Sequence, residues 1–344
     1  MPANSSRVCI DNQEVDFING SLTKDGGNTA SRFNVVIPGK NSSLRKYWGK
    51  EVTFFLDKSD AYPMFRGFIE NVELDDNAAI SVRALDALGY LTGIDRAAVT
   101  LDENNNVDGM TIGGALKTMI EMADLDGKVK TDFLGDTEPI QSVGKIRGRV
   151  FILDTITGLL NTVYSRTNEE YPRKNFLKVI DDGTNGQLIF DVEADAENDQ
   201  PIFLFSYEDN MVTFNVQNRK IPTIITVEGG NDARIIYKHQ SAIEAFGDHS
   251  LSVSNPTLTS RAACYDFAQD IFLANLKAKY EYTLSSINGY YLEENNVVRI
   301  VDDDTLVDGK FRIIGKTINF GSNTLSLELR INQQPPLLSR FLNT

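Results

Sequence analysis

The 344-residue chain is long enough for two or more domains with substantial hydrophobic cores, and its composition, 41% hydrophobic and 24% charged, is that of ordinary globular proteins. Its formal charge of −14, its pI of about 4.7 and the lack of any basic run longer than a dipeptide argue against a protein that grips nucleic acid through phosphate contacts. No apolar run approaches the roughly 18 residues of a membrane span, and the N-terminus lacks the apolar stretch of a secretory signal. We therefore expect neither a membrane span nor ordinary secretion.

Short strands separated by polar turns dominate residues 1–93. The predicted strands begin at Val8, Glu14 and Arg32, and turns rich in Asp, Asn and Gly separate them. Five or six short strands at this spacing are typical of a small barrel or sandwich. We therefore predict a first β-barrel tube domain over 1–93.

A β-hairpin that begins at Phe65 is echoed near the other end of the chain by one that begins at Phe311. Both begin with Phe-Arg, alternate apolar and polar residues, pass through a turn that contains Asn, and alternate again. The matched pairs are Phe65 with Phe311, Arg66 with Arg312, Phe68 with Ile314, Val72 with Ile318, Leu74 with Phe320, Asn77 with Asn323, Ile80 with Leu325 and Val82 with Leu327. We interpret the echo as one β-domain used twice. The alternative is that any two amphipathic hairpins share such a pattern.

Two amphipathic helices distinguish residues 94–175 from the strands before them. Apolar residues recur with helical spacing from Thr111 and again from about Val150. This pattern predicts an inserted helical or mixed subdomain over 94–175.

Residues 176–235 return to strand patterns. Turns rich in Asp, Asn and Gly divide apolar runs into two predicted hairpins, over 176–194 and 201–218. We therefore predict a β-hairpin-rich subdomain over 176–235.

A second β-barrel tube domain is predicted over 236–332. It includes a long helix at about 260–279, where apolar residues have helical spacing, and the second Phe-Arg hairpin follows. Consecutive prolines from Pro335 favour extended chain, so 333–344 is predicted as an extended C-terminal arm that docks on a neighbour, with a disordered end as the alternative. The whole pattern predicts a β-rich α+β fold in which mixed α/β and helical material lies between two related small β-barrels.

Residues that carry catalysis or bind metals are sparse. His239 and His249 do not have zinc spacing, and Cys9 and Cys264 are predicted to be free thiols. The loop from Asp102 has the alternating oxygen side chains of a calcium loop, but its Gly is misplaced and the closing Glu is absent. We predict no catalytic, cofactor-binding or metal-binding residue and no enzyme activity. A glycosidase carboxylate pair has no sequence spacing rule, so that alternative stays open.

The order of units resembles the central baseplate hub proteins of phage tails: the late control protein D family, the hubs of contractile phages and the hub portion of type VI secretion (VgrG-like) spikes. The similarity rests on Phe54 to Leu91, with FRGFIENVELDDN and LDALGYL. It rests also on a later segment with YKHQSAIEAFGDHSL, SRAACYDFAQDIF and GKFRIIGKTINF. The middle of the chain, about residues 95–230, is not matched.

The resemblance implies a structural virion protein without catalysis, a homotrimeric hub whose six tube domains meet a sixfold tail tube and whose other side meets a threefold spike or tip. The implied partners are tail tube or distal tail ring proteins, a spike or tip protein and the tape measure protein. DNA would pass through a central channel without specific binding, and the acidic balance fits such a channel because like charges repel phosphate. The implied location is the tail tip of the virion, after synthesis in the host cytoplasm.

Two other interpretations stay open at this point. The first is the hub of a bacterial contractile injection or type VI-like system, which would use the same scaffold. The second is a β-rich cell-wall or carbohydrate hydrolase, or a carbohydrate-binding module.

Overall fold

The part of the chain that the computed structural model describes has several gaps. It comprises residues 6–39, 46–74, 79–92, 97–134, 142–160, 164–165, 173–196, 198–218, 220–230, 232–255, 258–277, 280–304, 307–321 and 324–332. The predicted turn residues Asn77 and Asn323 and the predicted arm 333–344 lie outside it.

Strands dominate both ends of the described chain, and most helices lie between them. The first group is β1 (Arg7–Ile10), β2 (Gln13–Val15), β3 (Asn19–Asp25), β4 (Arg32–Pro38), β5 (Glu51–Phe55), β6 (Phe65–Leu74), β7 (Ala79–Leu85) and α1 (Gly89–Thr92). The second is β8 (Ala98–Leu101), α2 (Ile112–Met122), β9 (Gly148–Phe151), α3 (Ile152–Leu160), β10 (Tyr164–Ser165), β11 (Arg173–Asp181) and β12 (Gly186–Val192). The third is β13 (Phe203–Ser206), β14 (Met211–Asn218), β15 (Ile224–Gly229), β16 (Arg234–Lys238), α4 (Gln240–Phe246), β17 (Ser250–Asn255), α5 (Arg261–Lys277), β18 (Tyr280–Ser286), β19 (Val297–Asp302), β20 (Val307–Gly321) and β21 (Leu325–Asn332).

The first β unit consists of β1 to β7. Its strands pair in the order β3-β4-β7-β6-β5-β1-β2, and every pairing is antiparallel. Along β4, the side chains of Phe33, Val35 and Ile37 are buried while the residues between them are more exposed. This period of two places one face of the sheet on a hydrophobic core, as the alternation in the sequence predicts.

The second β unit repeats this order with strands from the other end of the chain. Its order is β14-β18-β21-β20-β19-β13, which matches β3-β4-β7-β6-β5-β1 strand for strand. Phe65 and Phe311, the first residues of the echoed hairpins, are both buried. One pairing differs, because β13 runs parallel to β19 whereas β1 runs antiparallel to β5. The predicted β-rich α+β class with two related β units is confirmed.

The two β units join edge to edge, which the sequence did not predict. Strand β3 of the first unit pairs antiparallel with β20 of the second, so the thirteen strands of both units form one continuous sheet. Their cores merge across this joint, which we call the seam. The ring of Phe320 lies 4.3 Å from that of Phe54 and 5.7 Å from that of Phe33, centroid to centroid.

The insert between the units, β8 to β12 with α2 and α3, has its own hydrophobic core. Helix α2 begins after Thr111, whose hydroxyl accepts the Gly114 N–H at 3.0 Å. A Cβ at Gly113 would lie 2.2 Å from the Leu134 carbonyl oxygen. Gly113 therefore allows close packing of the helix against this carbonyl group.

A third, small unit consists of β15, β16 and β17 with α5 packed on them. Helix α5 lies within the range predicted for the long helix, and its buried side chains are Cys264, Ala268 and Phe272.

The two predicted hairpins of the middle region have different outcomes. The hairpin over 176–194 is confirmed as β11 and β12. The prediction of a hairpin over 201–218 is wrong, because β13 pairs with β19 and β14 pairs with β18. Local alternation predicts strands but does not choose their partners, and here the partners lie about 60 to 95 residues further along the chain. The domain boundaries drawn from the sequence remain a prediction.

Candidate functional site

Polar side chains cover the face of the joined sheet that lies opposite its hydrophobic core. In β3, for example, Leu22 is buried in the core and its neighbours Ser21 and Thr23 point the other way, as strand geometry requires. We call this surface the seam face. Its polar residues include Asn71, Glu73, Ser81, Arg83, Asn34, Ser21, Thr23, Thr317, Asn319, Ser326, Glu328, Thr283, Ser285, Thr213 and Asn215.

The two β units contribute equivalent positions to the seam face. The equivalence follows from register, because Val35 pairs with Val82 in the first unit as Ser286 pairs with Leu327 in the second. The equivalent outward pairs are Ser21 and Thr213, Asn34 and Ser285, Ser81 and Ser326, Glu73 and Asn319, and Arg83 and Glu328. The repeat therefore preserves the polar character of the surface as well as its strand order.

A groove of about 530 Å³ runs over the seam on this face. Hydrogen bonds between hydroxyl and amide groups connect the strands on this face. The Thr23 and Thr317 hydroxyls lie 3.3 Å apart across the seam, and the Asn34 amide donates to the Ser21 hydroxyl at 3.4 Å. In the second unit the Thr213 hydroxyl lies 2.9 Å from that of Ser285. Such a surface is polar, and most of its side chains carry no fixed charge.

Charged groups of both signs lie on the seam face: besides Arg83, Glu73 and Glu328, it carries Arg32 and Arg330, which lie opposite Thr23 and Thr283. Arg83 is paired with Glu70 at 2.7 Å, and Glu73 accepts a hydrogen bond from the Asn71 amide at 2.6 Å. The acidic excess of the chain is therefore not concentrated here. The sequence gives the net charge of the whole chain, −14, but it does not show on which surface the charged side chains lie.

A cluster of charges lies on the core side of the seam. Lys24 of β3 and Lys316 of β20 face each other in register, and the Lys316 side chain is fully buried. One carboxylate bridges both ammonium groups, with Glu293 oxygens 2.9 Å from Lys24 Nζ and 3.2 Å from Lys316 Nζ. Lys316 also donates to the carbonyl oxygens of Tyr290 and Leu292. Hydrophobic packing around Phe320 thus stabilises one end of the seam, and the ion pairs of Glu293 stabilise the other end.

Burial and charge move the pKa values of this cluster in opposite directions. Burial lowers the pKa of Lys316 to about 8, although Glu293 opposes the shift. Burial acts to raise the pKa of Glu293, but Lys24 and Lys316 more than offset it and hold that pKa at about 2. Burial raises the pKa of Glu294 to about 7 and that of Asp86 to about 6.

We expect Glu294→Gln to stabilise the protein at pH 8 by about 1–2 kcal/mol, and to leave stability unchanged at pH 4.5. The Glu294 pKa is raised from 4.5 to about 7, so the folded state binds the extra proton within this window. Stability of the parent therefore falls as pH rises from 4.5 to 7, and the variant lacks this loss. Urea unfolding at both pH values measures the difference.

Glu208→Gln is the matched control, since Glu208 is exposed in the turn after β13. We expect it to change neither stability nor its pH dependence. Equal curves for the parent and Glu294→Gln would contradict the prediction.

The two arginines of the sequence echo hold the two ends of the β11–β12 hairpin. Arg66 Nε donates to Asp181 at 2.6 Å, at the end of β11, and its Nη1 donates to Glu51 at 2.7 Å. Arg312 Nη1 lies 3.1 Å from Glu193, just after β12. Equivalent residues of the two β units therefore bind the insert from both sides. A cleft of about 440 Å³ lies beside Arg66, where the first unit, the insert and Glu293 meet.

The residues that the sequence singled out have structural roles. His239 caps α4 by accepting the Ala242 N–H at 3.2 Å, and its ring stacks on Phe272. The Asp102 carboxylate accepts the N–H groups of Asn104 and Asn105, which closes a tight turn in the loop that resembled a calcium site.

Both cysteines are free thiols. Within the described ranges, no group of three or more His, Cys, Asp or Glu side chains is arranged to hold a metal ion. No helix in this part of the chain combines the length and apolar character needed to cross a bilayer. The seam face, the lysine pair and the arginine contacts were missed by sequence reasoning. Only the Phe-Arg echo carried a signal that could have pointed to them.

The fold is shared with solved tail proteins. A tail protein from Neisseria meningitidis superposes with a TM-score of 0.66 at 16% identity over 96% of each chain. The 43 kDa tail protein of prophage MuSo2 from Shewanella oneidensis gives 0.65 at 11% identity, over 96% of this chain and 97% of that one. A type VI secretion component of E. coli, described as structurally similar to the phage T4 tail proteins gp27 and gp5, gives 0.58 at 12% identity, over 96% and 80%.

These comparisons show that the chain has the fold of tail proteins. No family model matches the chain, and no curated protein matches its sequence. The predicted resemblance to the hub proteins of phage tails is confirmed at the level of the fold.

Proposed function

We propose that the protein is a structural tail protein that acts as a homotrimeric hub at the tail tip, adapting a sixfold tail tube to a threefold spike or tip. The observation that carries this proposal is the repeat of six strands in the same order, joined edge to edge in one chain. Three such chains offer six similar units, which is what a ring of six neighbours requires. The fold shared with the tail protein from Neisseria meningitidis and the tail protein of prophage MuSo2 supports it.

The mass of the assembly tests the hub directly. The protomer of 38.3 kDa should give three times that mass by light scattering, either alone or when a tail tube or spike protein is added. A monomer that stays monomeric with both partners present would refute the trimer. The proposal assigns no catalysis, so peptidoglycan incubated with the trimer should remain intact.

The seam face is proposed as the wall of the channel through which DNA passes. Most of its side chains carry hydroxyl or amide groups, and its Arg83 and Arg330 are paired with Glu70 and Asp25, so phosphates would meet few free cations. The opposite face is filled by the hydrophobic core and is closed to solvent.

Placing lysines on this wall should slow DNA release from assembled particles by about tenfold or more, because each new cation holds phosphates electrostatically. The variant is Asn34→Lys, Ser81→Lys and Asn319→Lys together, all at exposed positions. Release is followed by a dye that fluoresces on ejected DNA, and rising salt should restore the rate.

The matched control places three lysines at Ser250, Ser252 and Ser254, which are exposed on β17 of the third unit. It adds the same charge away from the proposed channel and should leave release unchanged. Equal slowing by both variants would contradict the assignment of the wall.

A second candidate is the hub of a bacterial contractile injection system, favoured by the similarity to the E. coli type VI secretion component. In that case the same scaffold would carry a spike but no DNA. Labelled protein distinguishes the two: it would appear at the tips of DNA-filled particles in the first case and of headless tubes in the second.

A further inference from the structure

The in-chain seam is a specific antiparallel pairing with a defined register. Leu22 lies opposite Ile318, and both are fully buried. Thr23 lies opposite Thr317 and Ser21 opposite Asn319, with these four side chains on the seam face. The seam is therefore a complete interface between two β units, with a dry side and a wet side.

Each strand of the seam has a counterpart in the other β unit. Phe214 of β14 lies opposite Leu284 of β18 as Leu22 of β3 lies opposite Phe33 of β4, which makes β14 the counterpart of β3. By the same register, residues 316–320 of β20 correspond to the 69–74 stretch of β6, which has one extra residue at its bulge. The repeat thus contains a second pair of seam-forming edges, β14 and the end of β6.

Within the described residues, both of these edges lack a strand partner. Strand β14 pairs only with β18, and residues 71–74 of β6 pair only with β7. Leu74 is the counterpart of Phe320, which is 2% exposed, yet Leu74 is 58% exposed. On β14, Val212 and Val216 are 55% and 45% exposed. Open edges that carry exposed apolar side chains are surfaces for strand pairing.

One backbone group on the open edge of β14 is already capped within the chain. The Phe214 N–H donates to the Tyr207 hydroxyl at 3.1 Å. Tyr207 is 46% exposed and lies in the short turn before β14, so its side chain can swing out and leave this N–H to an incoming carbonyl. The cap satisfies the donor while the edge is unpaired.

We propose that β14 of one protomer pairs antiparallel with β6 of the next, in the register of the in-chain seam. Phe214 would then face the next protomer's Val72, Thr213 would face Glu73, and Asn215 would face Asn71. The pairing covers Leu74 and Val216 and continues the seam face from one protomer to the next. Because the two edges differ, the contact is head-to-tail, and three repeats close a ring. This inference rests on the proposed trimer and names the surfaces that build it.

Disulfide trapping tests the register. Thr213 and Glu73 are exposed, and directly opposed positions of antiparallel strands have the Cα separation that a disulfide needs. In a Cys9→Ser background, T213C/E73C should give a covalently closed trimer after mild oxidation, seen on a non-reducing gel. An equal mixture of the single variants T213C and E73C should give covalent dimers, and either single variant alone should give none.

The matched control is T213C/S81C, in which the second cysteine lies on β7, one strand away from the edge. It keeps both cysteines on the seam face but beyond disulfide reach, so no covalent trimer should form. Dimers from T213C alone would overturn the head-to-tail arrangement, since they require a symmetric contact. A trimer by light scattering that T213C/E73C does not trap would overturn the strand pairing and leave the hub proposal standing. Absence of any trimer, with both partners present, would refute the hub itself.

Discussion

Replacement of Phe320 by alanine is expected to lower the free energy of unfolding by about 3–5 kcal/mol. The ring lies at the seam, 4.3 Å from the ring of Phe54, 5.7 Å from that of Phe33 and 5.4 Å from that of Phe17, centroid to centroid. Its loss leaves a cavity at the joint between the two β units, where well-packed neighbours cannot close in. Urea unfolding followed by tyrosine and tryptophan fluorescence measures the change.

The repeat supplies the control for this experiment. Leu74 occupies the same position in the first unit but is 58% exposed in the protomer. Leu74→Ala should change the stability of the isolated protomer by no more than about 0.5 kcal/mol. The same substitution should weaken the trimer, so dilution should dissociate Leu74→Ala before the parent. Equal losses of protomer stability at the two positions would contradict the seam as described.

Replacement of Glu293 by alanine has the second largest expected effect, a loss of about 3 kcal/mol at pH 7. The carboxylate is the shared counter-ion of Lys24 and Lys316, and the Lys316 side chain has no exposed surface. Removing it leaves a buried ammonium whose carbonyl partners carry only partial charge. Thermal and urea unfolding at pH 7 measure the loss.

A second substitution separates charge from packing. Lys316→Met, added to Glu293→Ala, should recover much of the lost stability because it replaces the unpaired charge with an apolar side chain of similar length. The pH dependence of stability provides a second test of the unpaired Lys316 charge in Glu293→Ala. The Lys316 pKa, already lowered by burial to about 8, should fall further without Glu293, so stability of the single variant should rise with pH up to 10.5, the ordinary lysine value. A single variant as stable as the parent would show that Glu293 is not needed as a counter-ion.

Local patterns in the sequence predicted strands and their repetition well. The alternation around Phe65 and Phe311 is a property of each strand by itself, and the same period of two places one face of each strand on the core. The turn chemistry between β11 and β12 predicted their pairing for the same reason, since turn and strands are neighbours in sequence.

The seam could not be predicted in this way. It joins Leu22 to Ile318, and nothing in either strand marks the other as its partner. Lys24 and Lys316 even argue against burial, because hydropathy places lysines on the outside of a sheet. Their burial depends on Glu293, which reaches them from a loop that sequence patterns leave unassigned. The seam and its charged cluster arise from strands that are distant in sequence, so the pattern within any one strand does not predict them.

The joint between β3 and β20 lies within one polypeptide, so its formation does not depend on protein concentration. Tethering makes the pairing of the two units intramolecular, whatever the expression level in the cell. In a ring of three chains, half of the six joints would thus be present before any two chains meet. Three joints between chains would remain, two formed by encounters and the third by closure of the ring, and a subunit lost by dilution would break two joints rather than separate the ring into six pieces.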